Sequence, residues 1–97
     1  MDLNKAAGAL RDWAVGRSLP LWAAAGFDPS SHRFVERLTL AGTPDASAPI
    51  RLIVQARQVY SFSVAARHGW HHRARDLVEQ GFAAMLDRKS TRLNSSH

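Results

Sequence analysis

At 97 residues the chain has room for one small domain, and its 45% apolar and 22% charged content fits a folded globular chain and not a disordered one. No apolar run reaches the ~20 residues of a membrane span, and the charged N-terminus MDLNKAAGALRDW lacks the apolar core of a signal peptide. The absence of cysteine excludes a disulfide framework and thiolate metal sites, and a cytoplasmic protein is expected. The formal charge of +5 comes almost entirely from arginines scattered between Arg11 and Arg92. They form no basic run interleaved with aromatics, so no nucleic-acid stacking platform is expected, and no membrane partner either.

Residues 3 to 25 predict a helix, with Leu3, Ala6, Leu10, Trp13 and Ala14 at helical spacing and Asp2 placed to cap the start. Gly16 and Pro20 interrupt it, since proline removes one backbone donor and clashes with the preceding turn. Either a kink near Ser18 or two consecutive helical pieces are therefore expected, with Leu19, Leu21 and Trp22 turned inward, and Gly26-Phe27-Asp28-Pro29 ends the element.

Residues 28 to 49 read as irregular. Alternation around Phe34, Glu36, Leu38 and Leu40 predicts a short strand at 33 to 40, and Ala41-Gly42-Thr43-Pro44 supplies a turn.

A second helix is expected over 49 to 67, opened by Pro49 and closed near Gly69; its length outweighs the strand preference of its β-branched residues. At ~100° per residue, Ile50, Ile53, Tyr60 and Val64 share a face with Arg57 in its middle. Phe62 lies opposite, near Arg51, Gln55 and Gln58, so the helix is apolar on two sides. A guanidinium among apolar groups keeps its charge and needs acceptors. Two partners are open to Arg57: an acid such as Glu36, or the oxygens of a ligand.

A third helix is expected over 72 to 86, with Ala74, Leu77, Val78, Gly81, Phe82 and Met85 on one face. His68, His71 and His72 gather at the junction between the second and third helices. His68 and His72 have an i, i+4 spacing, but Gly69-Trp70 breaks the helix between them, so no metal site is expected. Trp13, Trp22 and Trp70 read as packing residues, and Asp12 and Asp76 as isolated carboxylates without glycosidase pairing.

The last residues, Asp87-Arg-Lys-Ser-Thr-Arg-Leu-Asn-Ser-Ser-His97, carry no apolar periodicity. Their order resembles the translation of a common sequencing-library adapter. Residues 87 to 97 are therefore expected to be an artefactual tail following a native segment 1 to 86, and residues 88 to 97 to make few contacts. Of the formal +5, Asp87, Arg88, Lys89 and Arg92 together contribute +2, leaving +3 for the rest.

The segment Arg51-Leu-Ile-Val-Gln-Ala-Arg57-Gln-Val-Tyr60-Ser-Phe-Ser-Val-Ala-Ala66 resembles the second-helix segment of the N-acylglucosamine 2-epimerase family. Leu19-Pro-Leu-Trp22, Gly26-Phe-Asp28, Phe34-Val-Glu-Arg-Leu38 and Gly42 follow that family's N-terminal order, and the likeness covers residues 9 to 86. The pair His32-Arg33 departs from it, standing where the family often has two glycines. The resemblance implies an all-α fold, the N-terminal part of an (α/α)6 barrel. It also implies a small-molecule sugar substrate, epimerised or isomerised through an enediolate by two acid/base histidines, with no cofactor or metal. Those histidines lie downstream of residue 86, so none of the catalytic residues is expected here, and the chain is expected to be an inactive N-terminal fragment. Arg57 and Tyr60 are the substrate-binding residues the resemblance points to. The alternative is a small basic helical module that binds nucleic acid or a protein partner.

Overall fold

The computed structural model describes residues 2 to 95, with side chains through residue 87. Helix α1, Leu3–Trp13, starts as expected at Asp2, whose Oδ1 accepts the backbone N–H groups of Asn4 (3.0 Å) and Lys5 (3.2 Å). A π-helical turn, Ala14–Ser18, then leads into α2, Leu19–Ala24, with Pro20 in its first turn. The predicted disturbance thus falls immediately before the proline, and it takes a definite form. A regular α-helix would drive the Pro20 ring against the carbonyl four residues back, and the wider π turn re-spaces that ladder.

The predicted strand at 33 to 40 shrinks to two residues. Strand β1, Phe27–Asp28, pairs antiparallel with β2, Arg33–Phe34, in the register Phe27 with Phe34 and Asp28 with Arg33. Farther on only an isolated bridge between Leu38 and Pro44 remains. The alternation there was real, but this segment has no second sheet face to bury it, and Leu40 is fully exposed. The turn between β1 and β2 is held by Asp28, whose carboxylate accepts from the Ser30 N–H (3.0 Å), the Ser30 hydroxyl (2.8 Å) and the Ser31 hydroxyl (2.9 Å).

Helix α3, Leu52–His68, begins three residues later than expected because Arg51 is still extended, and ends at Gly69 in the left-handed region (φ 67°), where the cap was predicted. Helix α4, Ala74–Ser95, overruns the expected end at 86. No glycine or proline follows Gly81, so nothing in the chain stops the backbone ladder. The expectation of few contacts for residues 88 to 97 concerns side chains that lie outside the described residues.

The core sits where α2, β2, α3 and α4 converge. Leu19, Ala23, Phe27, Phe34, Phe62, Ala65, Ala74 and Leu77 form one buried cluster. Phe34 is its centre, edge-on to Phe27 (centroids 5.0 Å) and stacked on Phe62 (5.4 Å). Gly81 lets α4 approach this centre, since a Cβ there would lie 3.1 Å from the Phe34 ring and 3.2 Å from Val59. In contrast, α1 buries none of its residues. The architecture is mostly helical, as expected. Among the described residues no helix is long and apolar enough to cross a membrane.

Candidate functional site

Helix α3 carries two faces of different character. Its inner face is Val54, Gln55, Phe62 and Ala65, all buried. Its outer face carries Ile53, Arg57 and Tyr60, all exposed, with Tyr60 70% accessible. The periodicity was read correctly in grouping Ile53, Arg57 and Tyr60. It did not show that the Phe62 side, richer in polar residues, is the one turned to the core.

The buried amide of Gln55 accounts for that inversion. Its Oε1 accepts the Phe34 N–H at 2.8 Å and its Nε2 donates to the Phe34 carbonyl at 2.6 Å. The side chain thus acts as a third strand beside β2, satisfying a backbone donor and acceptor that burial would otherwise leave orphaned at about 1–3 kcal/mol each. Gln55 lies seven positions before Phe62 and so on its face, but Arg51 and Gln58 lie on that side too, so helical spacing alone does not single it out.

The N-terminal half of α3 borders an open cleft of about 630 Å³. Trp22 from α2, Glu36 and Arg37 from the segment after β2, and Arg51, Arg57 and Gln58 from the start of α3 reach into it. The acid considered for Arg57 is engaged elsewhere: Glu36 accepts from the Arg51 backbone N–H at 3.1 Å and from Arg51 Nε at 2.9 Å. These hydrogen bonds from the Arg51 side chain, more than its charge, hold the Glu36 carboxyl below its ordinary value. Arg37 pairs with Asp45 at 2.8 Å. The Arg57 guanidinium has no protein acceptor among the described residues, which leaves it free to meet a ligand.

Tyr60 does not share this cleft. It lines a separate hollow of about 310 Å³ with Leu19, Val64 and Trp70. The two residues expected to bind substrate are therefore on one helix face and in two different recesses. Trp22, expected to be a packing residue, both packs on the core cluster and presents a half-buried ring to the cleft.

His32 adopts φ 58°, the left-handed conformation of a glycine, although it carries a side chain. Of the pair His32-Arg33, only His32 takes a backbone conformation that favours glycine. His68 stacks on Trp70 (4.7 Å), and His71 on His72 (4.7 Å). No set of three potential metal ligands occurs among the described residues.

The model of the N-acylglucosamine 2-epimerase family matches residues 34 to 94, which includes β2's Phe34, all of α3 and the cleft's Arg57. The chain belongs to the N-acylglucosamine 2-epimerase family. A mannose-6-phosphate isomerase of Rhizobium meliloti (strain 1021) is 41% identical over 81 residues, which is 84% of this chain. The chain spans 21% of the length of that relative. No solved structure matches it.

Proposed function

We propose that this chain is the N-terminal segment of a carbohydrate epimerase or isomerase, with Arg57 as a substrate-contacting residue. The observation that carries the reading is the unpaired guanidinium of Arg57, held in the family segment beside a cleft that also offers an aromatic ring and an amide, those of Trp22 and Gln58. Such a set suits a sugar: a flat apolar ring for its C–H face, and polar donors for its oxygens.

In this reading the whole enzyme opens the sugar ring and removes the proton beside the carbonyl, giving an enediolate. Negative charge grows on oxygen in that step. A fixed guanidinium near those oxygens lowers the barrier because it is already oriented when the charge appears. The acid/base histidines belong to the part of the barrel beyond residue 86, and residues 87 to 97, of which the family match takes in 87 to 94, are read as a non-native tail on their likeness to an adapter translation. Tyr60, three positions on along the same helix face as Arg57, contributes to substrate binding once further helices wall in that face. The mannose-6-phosphate isomerase relative supports an aldose–ketose interconversion of a mannose-type sugar as the reaction.

The test is made in the Rhizobium meliloti relative, at the position that aligns with Arg57, where the proposal requires an arginine. Replacing it by alanine is expected to lower turnover on the order of a hundredfold or more, with a smaller change in substrate affinity. An unaltered rate would remove Arg57 from the mechanism.

A further inference from the structure

At the opposite end of α3 a second hollow, of about 370 Å³, opens at the junction with α4. Arg67 in the last turn of α3, His71 and His72 in the connection, and Arg75 in the first turn of α4 line it, together with Ala66. No carboxylate is among the lining residues. Asp76, the next residue along, faces the other way: it accepts from Gln80 Nε2 at 2.7 Å and lines a different hollow, beside Ser31 to Arg33.

Elsewhere in the molecule arginines near an acid pair with it, as Arg11, Arg37 and Arg51 do. Arg67 and Arg75 have no such partner among the described residues. Two like charges brought to one concavity repel, and the cheapest relief is an anion held between them. The histidines add donors. His71 Nδ1 accepts the Arg73 N–H at 3.1 Å, so the proton of the neutral ring sits on Nε2, which remains available to donate. The rings of His71 and His72 lie face to face, 4.7 Å apart and 20° from parallel. Burial, then the nearby His72 and Arg73 charges, hold the His71 imidazole below its ordinary value.

We propose that the hollow formed by Arg67, His71, His72 and Arg75 binds the phosphoryl group of a small anion, at a site separate from the Arg57 cleft. Two guanidinium forks and an imidazole N–H match the several acceptor oxygens of a phosphoryl group better than the two of a carboxylate. The ten-residue offset from Arg57 to Arg67 along α3 corresponds to a rise of about 15 Å at ~1.5 Å per residue. The proposal does not depend on the sugar chemistry assigned to the cleft.

The probe is inorganic pyrophosphate, titrated into the 97-residue chain at constant ionic strength, with binding read by calorimetry and by the imidazole resonances of His71 and His72. Saturable binding that moves those two resonances, and leaves His32 unmoved, is expected. The double variant Arg67→Gln, Arg75→Gln is expected to weaken binding at least tenfold, whereas Arg17→Gln, at an exposed arginine that does not line the hollow, changes it less than twofold. If a variant loses its helical circular dichroism, the resonances of the unaltered chain still locate the site. Shifts that merely follow added sodium chloride, equal weakening by Arg17→Gln, or binding of a single-stranded oligonucleotide that pyrophosphate does not displace would each overturn the proposal.

Discussion

Three residues show how far a side chain's type forecasts its role. Arg57 was legible as an unusual arginine on an apolar stripe, but its environment was not, because periodicity does not say which face of a helix meets the core. Gln55 was unreadable as a core residue for a related reason: its partner is the backbone of Phe34, which is non-local and leaves no mark on residue type. His32 was legible as a departure at a glycine position, and its φ of 58° lies in the left-handed region that favours glycine. Left-handed backbone costs a residue with a Cβ about 1–2 kcal/mol, while glycine loses roughly 0.5–1 kcal/mol in chain entropy. His32→Gly is therefore expected to stabilise the chain by up to about 1 kcal/mol, and His32→Val, β-branched, to destabilise it. Thermal unfolding followed by circular dichroism decides; a melting temperature lowered by the glycine would show that the histidine side chain makes up the strain through contacts of its own.

Among the elements, long ones were read better than short ones. Helices α3 and α4 follow from apolar spacing and from Gly69, whereas the predicted strand shrank to the pair Phe27–Asp28 and Arg33–Phe34 because two-residue ladders are set by turn chemistry at Asp28 and by the Gln55 amide. The entry to α3 depends on a charge latch, Glu36 to Arg51, that closes the irregular segment onto the first turn of the helix. The Glu36 carboxyl is held below its ordinary value, as are Asp28, mainly by Ser30, and Asp45, mainly by Ser47. A depressed folded value means that the contribution is present above the ordinary carboxylate range and is lost as pH falls through that range towards the folded value. Glu36→Gln is accordingly expected to lower stability at neutral pH and to flatten the acid side of the stability profile, because one of the three protonations no longer counts against the fold. Denaturant melts at neutral pH and in the acid limb would show this as two curves that converge at low pH; parallel curves would mean the latch contributes nothing through its charge.

As a whole, the molecule leaves much apolar surface open. Leu3, Leu10 and Trp13 on α1, Ile53 on α3, and Phe82 and Leu86 on α4 are each more than half exposed. Leu52, Ile53, Phe82, Met85 and Leu86 also surround an apolar hollow of about 440 Å³ between α3 and α4. Surfaces of this kind are ordinarily covered. The isolated chain is expected to bind a fluorescent apolar dye, to associate as its concentration rises, and to turn over no sugar. A monomer at high concentration with no dye binding would contradict this reading, as would measurable turnover. The Gln55 clamp also makes the two-residue strand β2 a gauge of the 17-residue helix α3. The Phe34 amide is sealed by a side chain 21 residues away, so its exchange with solvent deuterium is timed by the opening of α3 and not by fraying of the two-residue ladder. Phe34 should therefore exchange in step with the amides around Phe62, orders of magnitude more slowly than a surface strand of that size, and Gln55→Ala should uncouple the two clocks.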